Sequence, residues 1–142
     1  MLVVSKGPSW SVQITDFGIT KKIQDSQTAQ GTLYQGTTGF MAPEMVVPNL
    51  SGPQYAIDMW SLGSLVYYML TNRIFLHEIA NLYEYGTSDR EYPLCSYIGV
   101  IVTPSAQYFI SKLLARLPRV RLTADEALSS EWMTSLAKYG QF

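Results

Sequence analysis

The sequence predicts a mainly α domain with a short N-terminal β-hairpin. Three observations carry that reading. Residues 55–71 put apolar or aromatic groups on every side of a helix, and Phe109, Ile110, Leu113, Leu114 and Leu117 recur at helical spacing. Strand character is confined to residues 2–4 and 10–15. A chain of 142 residues fits one domain, or one lobe of a larger one, and can bury a core.

In chain order, Trp10, Val12 and Ile14 alternate with Ser11, Gln13 and Thr15, the period of a half-buried strand. Residues 2–4 are its hairpin partner. Ser5-Lys6-Gly7-Pro8-Ser9 supplies the turn between them, with Pro8 fixing φ and Gly7 relaxing it. Residues 23–39 are polar, rich in Gln, Ser, Thr and Gly, and lack either period; loops of that length are usually functional or disordered. Pro43 with Glu44 behind it suits the first turn of a helix that Pro48 stops.

Residues 55–71 read as a buried central helix with no face left for water. The segment is too short to cross a bilayer, which takes about 20 apolar residues. Asp58 is its odd residue, because a carboxylate carried into an apolar core must find hydrogen-bond donors. Residues 76–85 form a helix closed by Gly86, with His77 as a surface or packing residue. Thr103-Pro104 caps and opens the next helix, whose Phe109, Ile110, Leu113, Leu114 and Leu117 are core. Thr123 with Glu126 three residues later is a capping box for the helix that follows.

Composition narrows the function. A net charge of −1 and a pI near 5.7 leave no basic footprint, which argues against nucleic acid as a main partner. Cys95 is the only cysteine and His77 the only histidine, so an internal disulfide and a Cys/His zinc site are excluded. A Ser-His-Asp triad would depend on His77, and no G-x-S-x-G elbow accompanies it. Residues 1–5 lack a basic segment and a long apolar run, so an intracellular address, cytoplasm or nucleus, is expected, with no membrane partner. A hydrophobic content of 47% suits a piece of a larger domain.

Four ordered motifs carry a family resemblance. Asp16-Phe17-Gly18, then Gly36-Thr37-Thr38-Gly39-Phe40-Met41-Ala42-Pro43-Glu44, then Asp58-Met59-Trp60-Ser61-Leu62-Gly63, resemble the C-terminal lobe of a eukaryotic Ser/Thr protein kinase. The run from Pro118 through Arg121 to Leu128, followed by Trp132-Met133, is similar to the family's closing segment. The texture around residues 2–22 resembles calmodulin-kinase-type and checkpoint-type enzymes of fungi.

The resemblance implies a partial kinase domain over residues 1–142, with residues 16–44 as activation segment, 55–71 as central helix and 103–138 as C-terminal helices. It implies that Asp16 coordinates Mg²⁺ bridging the ATP phosphates, that Phe17 sets its direction, and that Gly18 frees the chain to turn. Ser26, Thr28, Thr32 and Tyr34 become candidate phosphate acceptors, Thr32 first and Thr28 second. Thr37 matches the threonine that contacts the catalytic aspartate and lysine of Ser/Thr kinases, a supporting catalytic role. Glu44 matches the glutamate that pairs with an arginine, here Arg121. Asp58 would receive backbone amides of the catalytic loop. Thr38, Leu117 and Glu131 depart from the family's usual proline, acidic residue and histidine.

The sequence contains no G-x-G-x-x-G, no strand lysine with its glutamate, and no His-Arg-Asp loop ending in asparagine. The chain is therefore expected to begin just downstream of the catalytic loop, as a truncated protein or from a mis-called gene start. It is expected to be a partial Ser/Thr kinase domain that is inactive alone and does not bind Mg²⁺ and ATP alone, with a protein substrate or regulatory protein as partner. The alternative is a non-catalytic interaction module derived from a kinase C-terminal lobe.

Overall fold

The computed structural model describes residues 2–5, 11–15, 37–88 and 102–139. Strands β1 (Leu2–Ser5) and β2 (Ser11–Gln13) form an antiparallel hairpin in which Leu2 faces Gln13 and Val3 faces Val12. Two single-turn 3-10 helices follow at Thr38–Phe40 and Pro43–Met45. The helices are α1 (Tyr55–Thr71), α2 (Ile79–Thr87), α3 (Pro104–Leu113), α4 (Ala124–Leu128) and α5 (Glu131–Tyr139), with a 3-10 turn, Pro118–Val120, before α4. Ile14 lies past the end of β2 and is 76% exposed, so the apolar alternation stops with the strand.

Helix α1 starts where the Pro53 carbonyl accepts the Ala56 N–H at 3.0 Å. It stops at Asn72, which adopts φ 54° and donates its N–H to the Tyr68 carbonyl at 2.7 Å; asparagine tolerates that left-handed conformation better than a branched residue. Ala56, Met59, Trp60, Gly63, Ser64, Val66 and Tyr67 are buried, whereas Tyr55, Asp58, Leu62, Tyr68 and Met69 are exposed. Positions 55, 58, 62 and 69 recur at helical spacing, so most of the exposed set lies along one stripe, broken at the half-buried Leu65. The expectation of a helix without a wet face is thereby corrected. An apolar composition permits burial on every side, but burial also requires a neighbour, and α2, α3 and residues 41–42 share a core with the other side.

Asp58 is corrected with it. Its carboxylate stands exposed in the first turn of α1, where the helix dipole favours a negative charge and water satisfies it.

Against the buried side of α1 lie Phe109, Ile110, Leu113 and Leu114, Leu82 and Tyr85, and Met41 and Ala42. Gly63 lets α1 approach the end of α3 closely: an added Cβ would stand 2.7 Å from Leu113 Cβ. Trp60, Tyr67, Phe75 and Tyr85 form one aromatic group with centroid separations of 5.4 to 6.2 Å, the Phe75–Tyr85 pair edge-on and the others tilted.

The caps at α3 and α4 have the chemistry expected of them. The Thr103 hydroxyl accepts the Ala106 N–H with Pro104 in the first turn. Thr123 and Glu126 form a reciprocal capping box, and the Thr123 N–H holds the Glu126 carboxyl below its ordinary range. Other boundaries differ from expectation. Helix α2 begins at Ile79 rather than Leu76, and Gly86 is buried inside it, where a Cβ would meet Val47 Cγ2 at 2.6 Å. That glycine serves close packing, not helix termination. Pro43 opens only a single 3-10 turn, and Leu117, beyond α3, is 43% exposed.

Candidate functional site

The site grows from residues 37–45. Thr37 and Thr38 are exposed, the Phe40 N–H returns to the Thr37 carbonyl at 3.0 Å, and the chain then runs extended through Met41 and Ala42, which are 4% and 0% exposed. Burial of those two side chains fixes the inner edge of the segment while the two threonines remain at its outer edge. From α1, the Ser61 hydroxyl donates to the Phe40 carbonyl at 3.0 Å. The next turn brings Glu44 round towards Arg121, 77 residues later.

Arg121 and Glu44 make a two-pronged ion pair with side chains 0% and 7% exposed. Arg121 Nη1 donates to Glu44 Oε1 at 2.5 Å and Nη2 donates to Oε2 at 2.7 Å. The remaining donors reach the carbonyls of Ala115 (2.8 Å), Ala56 (2.9 Å) and Arg116 (3.2 Å). The guanidinium lies over the Trp60 ring, 4.9 Å from its centroid. One side chain thus ties the end of the 37–45 segment, the start of α1 and the turn after α3. Beside it the Tyr85 hydroxyl donates to the Leu114 carbonyl at 2.6 Å, and burial pushes its pKa up to about 12.

These contacts position; they do not by themselves perform acid–base or nucleophilic chemistry. Among the described residues no three His, Cys, Asp or Glu side chains cluster as a metal site. His77 sits on the surface beside Glu78, 3.3 Å away, with its side chain 66% exposed. An open cavity of about 510 Å³ between α3, α4 and α5 is lined in part by Tyr108, Leu122, Glu126 and Trp132, and shares no lining residue with the Arg121 site.

The structure brings Glu44 and Arg121 together, leaves Thr37 at the exposed edge, and puts Asp58 on the surface. Asp16, Phe17, Gly18, Ser26, Thr28, Thr32 and Tyr34 lie outside the described residues. Two contributors escaped the sequence reading. Ser61 sits within a recognised motif, but its partner is 21 residues away, and the Tyr85 contact spans 29 residues. No spacing rule signals such pairs.

A family model for the protein kinase domain matches residues 1–133. The chain is 28% identical over 144 residues to calcium/calmodulin-dependent protein kinase type II of Caenorhabditis elegans, covering 94% of this chain and 18% of that protein. It is 32% identical over 135 residues to serine/threonine-protein kinase 17A of Oryctolagus cuniculus, covering 94% and 33%. It is 34% identical over 124 residues to serine/threonine-protein kinase MPS1 of Encephalitozoon cuniculi, covering 87% and 21%. The chain therefore spans no more than a third of the length of these relatives.

Proposed function

This chain belongs to the protein kinase family, and from that premise we propose that it is the substrate-side part of a Ser/Thr kinase domain. In this reading, residues 16–44 form the activation segment of ATP-dependent phosphoryl transfer to protein Ser or Thr. The observation that supports it is the Arg121 junction, which ties the end of the 37–45 segment, at Glu44, to the start of α1 and the turn after α3. A loop so held presents the Thr37–Thr38 edge at a fixed height, and positioning of reactants is the largest demand that phosphoryl transfer makes of a protein.

Mg²⁺ and ATP come with the family. The described residues offer no donor set for the metal, and Asp16, its proposed ligand, is not among them. Held by Asp16, the metal would supply neutralisation of the charge that develops during transfer. What these residues contribute is orientation of the protein substrate. Thr37 is the proposed link to the catalytic aspartate and lysine, and Thr32, then Thr28, are the proposed activating phosphorylation sites. Intracellular residence fits this role; among the described residues no helix is long and apolar enough to cross a membrane.

The chain alone should not transfer phosphate, because the sequence holds no His-Arg-Asp loop or phosphate-covering glycine loop. General acid–base help by itself is worth about 10²–10⁴-fold. The test is a chimaera in which this chain replaces the matching segment of serine/threonine-protein kinase 17A. Ser/Thr-peptide phosphorylation, lost on Arg121→Ala, is the expected result. A folded chimaera that binds ATP yet phosphorylates no Ser or Thr peptide would overturn the proposal. That outcome would favour the second reading, a non-catalytic interaction module, which the exposed Tyr55, Leu62, Tyr68 and Met69 of α1 support.

A further inference from the structure

We infer that Ser61 is a positioning residue for the peptide-facing edge of residues 37–41, an inference that rests on the reading of this loop as a substrate platform. Hydroxyls on helices usually return to a carbonyl of their own helix. In this chain Thr71 does so to Tyr67, Thr87 to Tyr83, Ser111 to Tyr108, Thr134 to Glu131 and Ser135 to Trp132. Ser61 departs from that habit. It reaches off α1 and donates to the Phe40 carbonyl at 3.0 Å, in a part-buried setting where water competes less well.

The same turn is held from a second direction. Gly39 is buried, and an added Cβ would stand 2.7 Å from Ile74 Cγ2 and 3.2 Å from Ile74 Cδ1, so the backbone lies directly on that side chain. The turn Thr38–Phe40 is therefore clamped between the Ser61 hydroxyl and Ile74, both anchored by α1 or the residues just after it. Its inner side is fixed, and Thr37 and Thr38 are left exposed. On the substrate-platform reading, the ligand at this edge is an extended peptide carrying Ser or Thr. Ser61 sets where that edge stands.

The test uses the full chain. Ser61→Ala removes the hydroxyl but improves helix propensity, so α1 itself is not weakened. Amide hydrogen exchange should quicken about tenfold at Phe40 and Met41, the factor expected from one lost hydrogen bond, while amides of Val66 and Tyr67 stay unchanged. Ser61→Thr, which keeps the donor, should restore slow exchange. Gly39→Ala should loosen the same two amides, and Ile74→Ala added to it should relieve them. Unchanged exchange in Ser61→Ala, or equal quickening throughout α1, would overturn the inference.

A second arm reads the platform itself. A degenerate serine-centred peptide library bearing a photoreactive benzoyl-phenylalanine next to the serine should label Thr37 and Thr38 in the wild type and in Ser61→Thr. In Ser61→Ala the labelling should spread. Absence of wild-type label there would overturn the substrate-platform reading, while the exchange data would still decide whether Ser61 holds the turn.

Discussion

Arg121 commits all five guanidinium donors to protein acceptors in a site where its side chain is fully buried. Removing one partner of such a pair strands the other charge, at about 3–5 kcal/mol. Arg121→Ala should therefore lower the urea midpoint sharply, while Arg119→Ala, at an exposed position, should stay within about 0.5 kcal/mol of wild type. Arg121→Lys should also be clearly destabilising, because an ammonium cannot fork across both Glu44 oxygens. A lysine variant as stable as wild type would mean the fork is not what holds the junction. Tyr85 gives a pH-dependent companion. Its folded pKa is about 12 against 10 unfolded, so its contribution is complete below pH 10 and is lost as pH rises towards 12. Denaturant melts at pH 8 and pH 11 should show wild type losing part of a total of about 2–3 kcal/mol that Tyr85→Phe does not lose. Equal losses in both proteins would remove Tyr85 as the titrating group. Of these residues the sequence revealed Glu44 and Arg121, because each stands in a recognisable motif. It revealed neither Tyr85 nor Ser61, whose partners are set by how helices lie against each other.

Local chemistry was the readable part of the elements. Thr103-Pro104 and Thr123 with Glu126 each act within four residues, so the caps they form were legible. Limits set by packing were not, and Gly86 shows why: glycine both ends helices and admits close neighbours, and only the position of Val47 decides between them. Gly63 poses the same choice with measurable stakes. Replacing it by alanine gains about 0.8–1 kcal/mol of helix propensity. The new Cβ, however, would sit 2.7 Å from Leu113 Cβ and 3.0 Å from Leu114 Cδ2, and the former is too near the backbone to swing away. Overpacking of this kind costs about 1–3 kcal/mol. Gly63→Ala should therefore be net destabilising by up to about 2 kcal/mol, with α3 displaced from α1. Ser64, the next residue, is 2% exposed and its hydroxyl has no hydrogen-bond partner among the described residues. Ser64→Ala should be neutral or stabilising in the same melts, since it removes a desolvated polar atom from the core. A rise in stability for Gly63→Ala would show that the α1–α3 crossing is looser than its geometry indicates.

At the scale of the molecule, α1 is central to the described core yet uncovered along one side. The sequence reading erred here for a physical reason: apolar composition reports what a helix can bury, whereas exposure depends on which neighbours are present. Asp58 makes the difference measurable. A buried, donorless carboxylate would gain from Asp58→Asn, but an exposed one in the first turn loses the dipole's favour, worth about 0.3–1 kcal/mol. Asp58→Asn should therefore be slightly destabilising in low salt, and less so as salt screens the dipole. Alongside it Tyr55, Leu62, Tyr68 and Met69 are 39%, 40%, 40% and 62% exposed. Apolar groups left in water along one side of a helix drive association in proportion to the area they can hide, about 25 cal/mol per Å². The chain should thus show a sedimentation coefficient that rises with concentration. Leu62→Gln with Met69→Gln should flatten that rise and, because both side chains are already largely wet, leave the unfolding midpoint of the dilute protein almost unmoved. A wild type that stays monomeric at high concentration would mean the stripe is too interrupted by Asp58 and Ser61 to act as one surface. A double variant that unfolds would mean the two side chains carry packing that their exposure conceals.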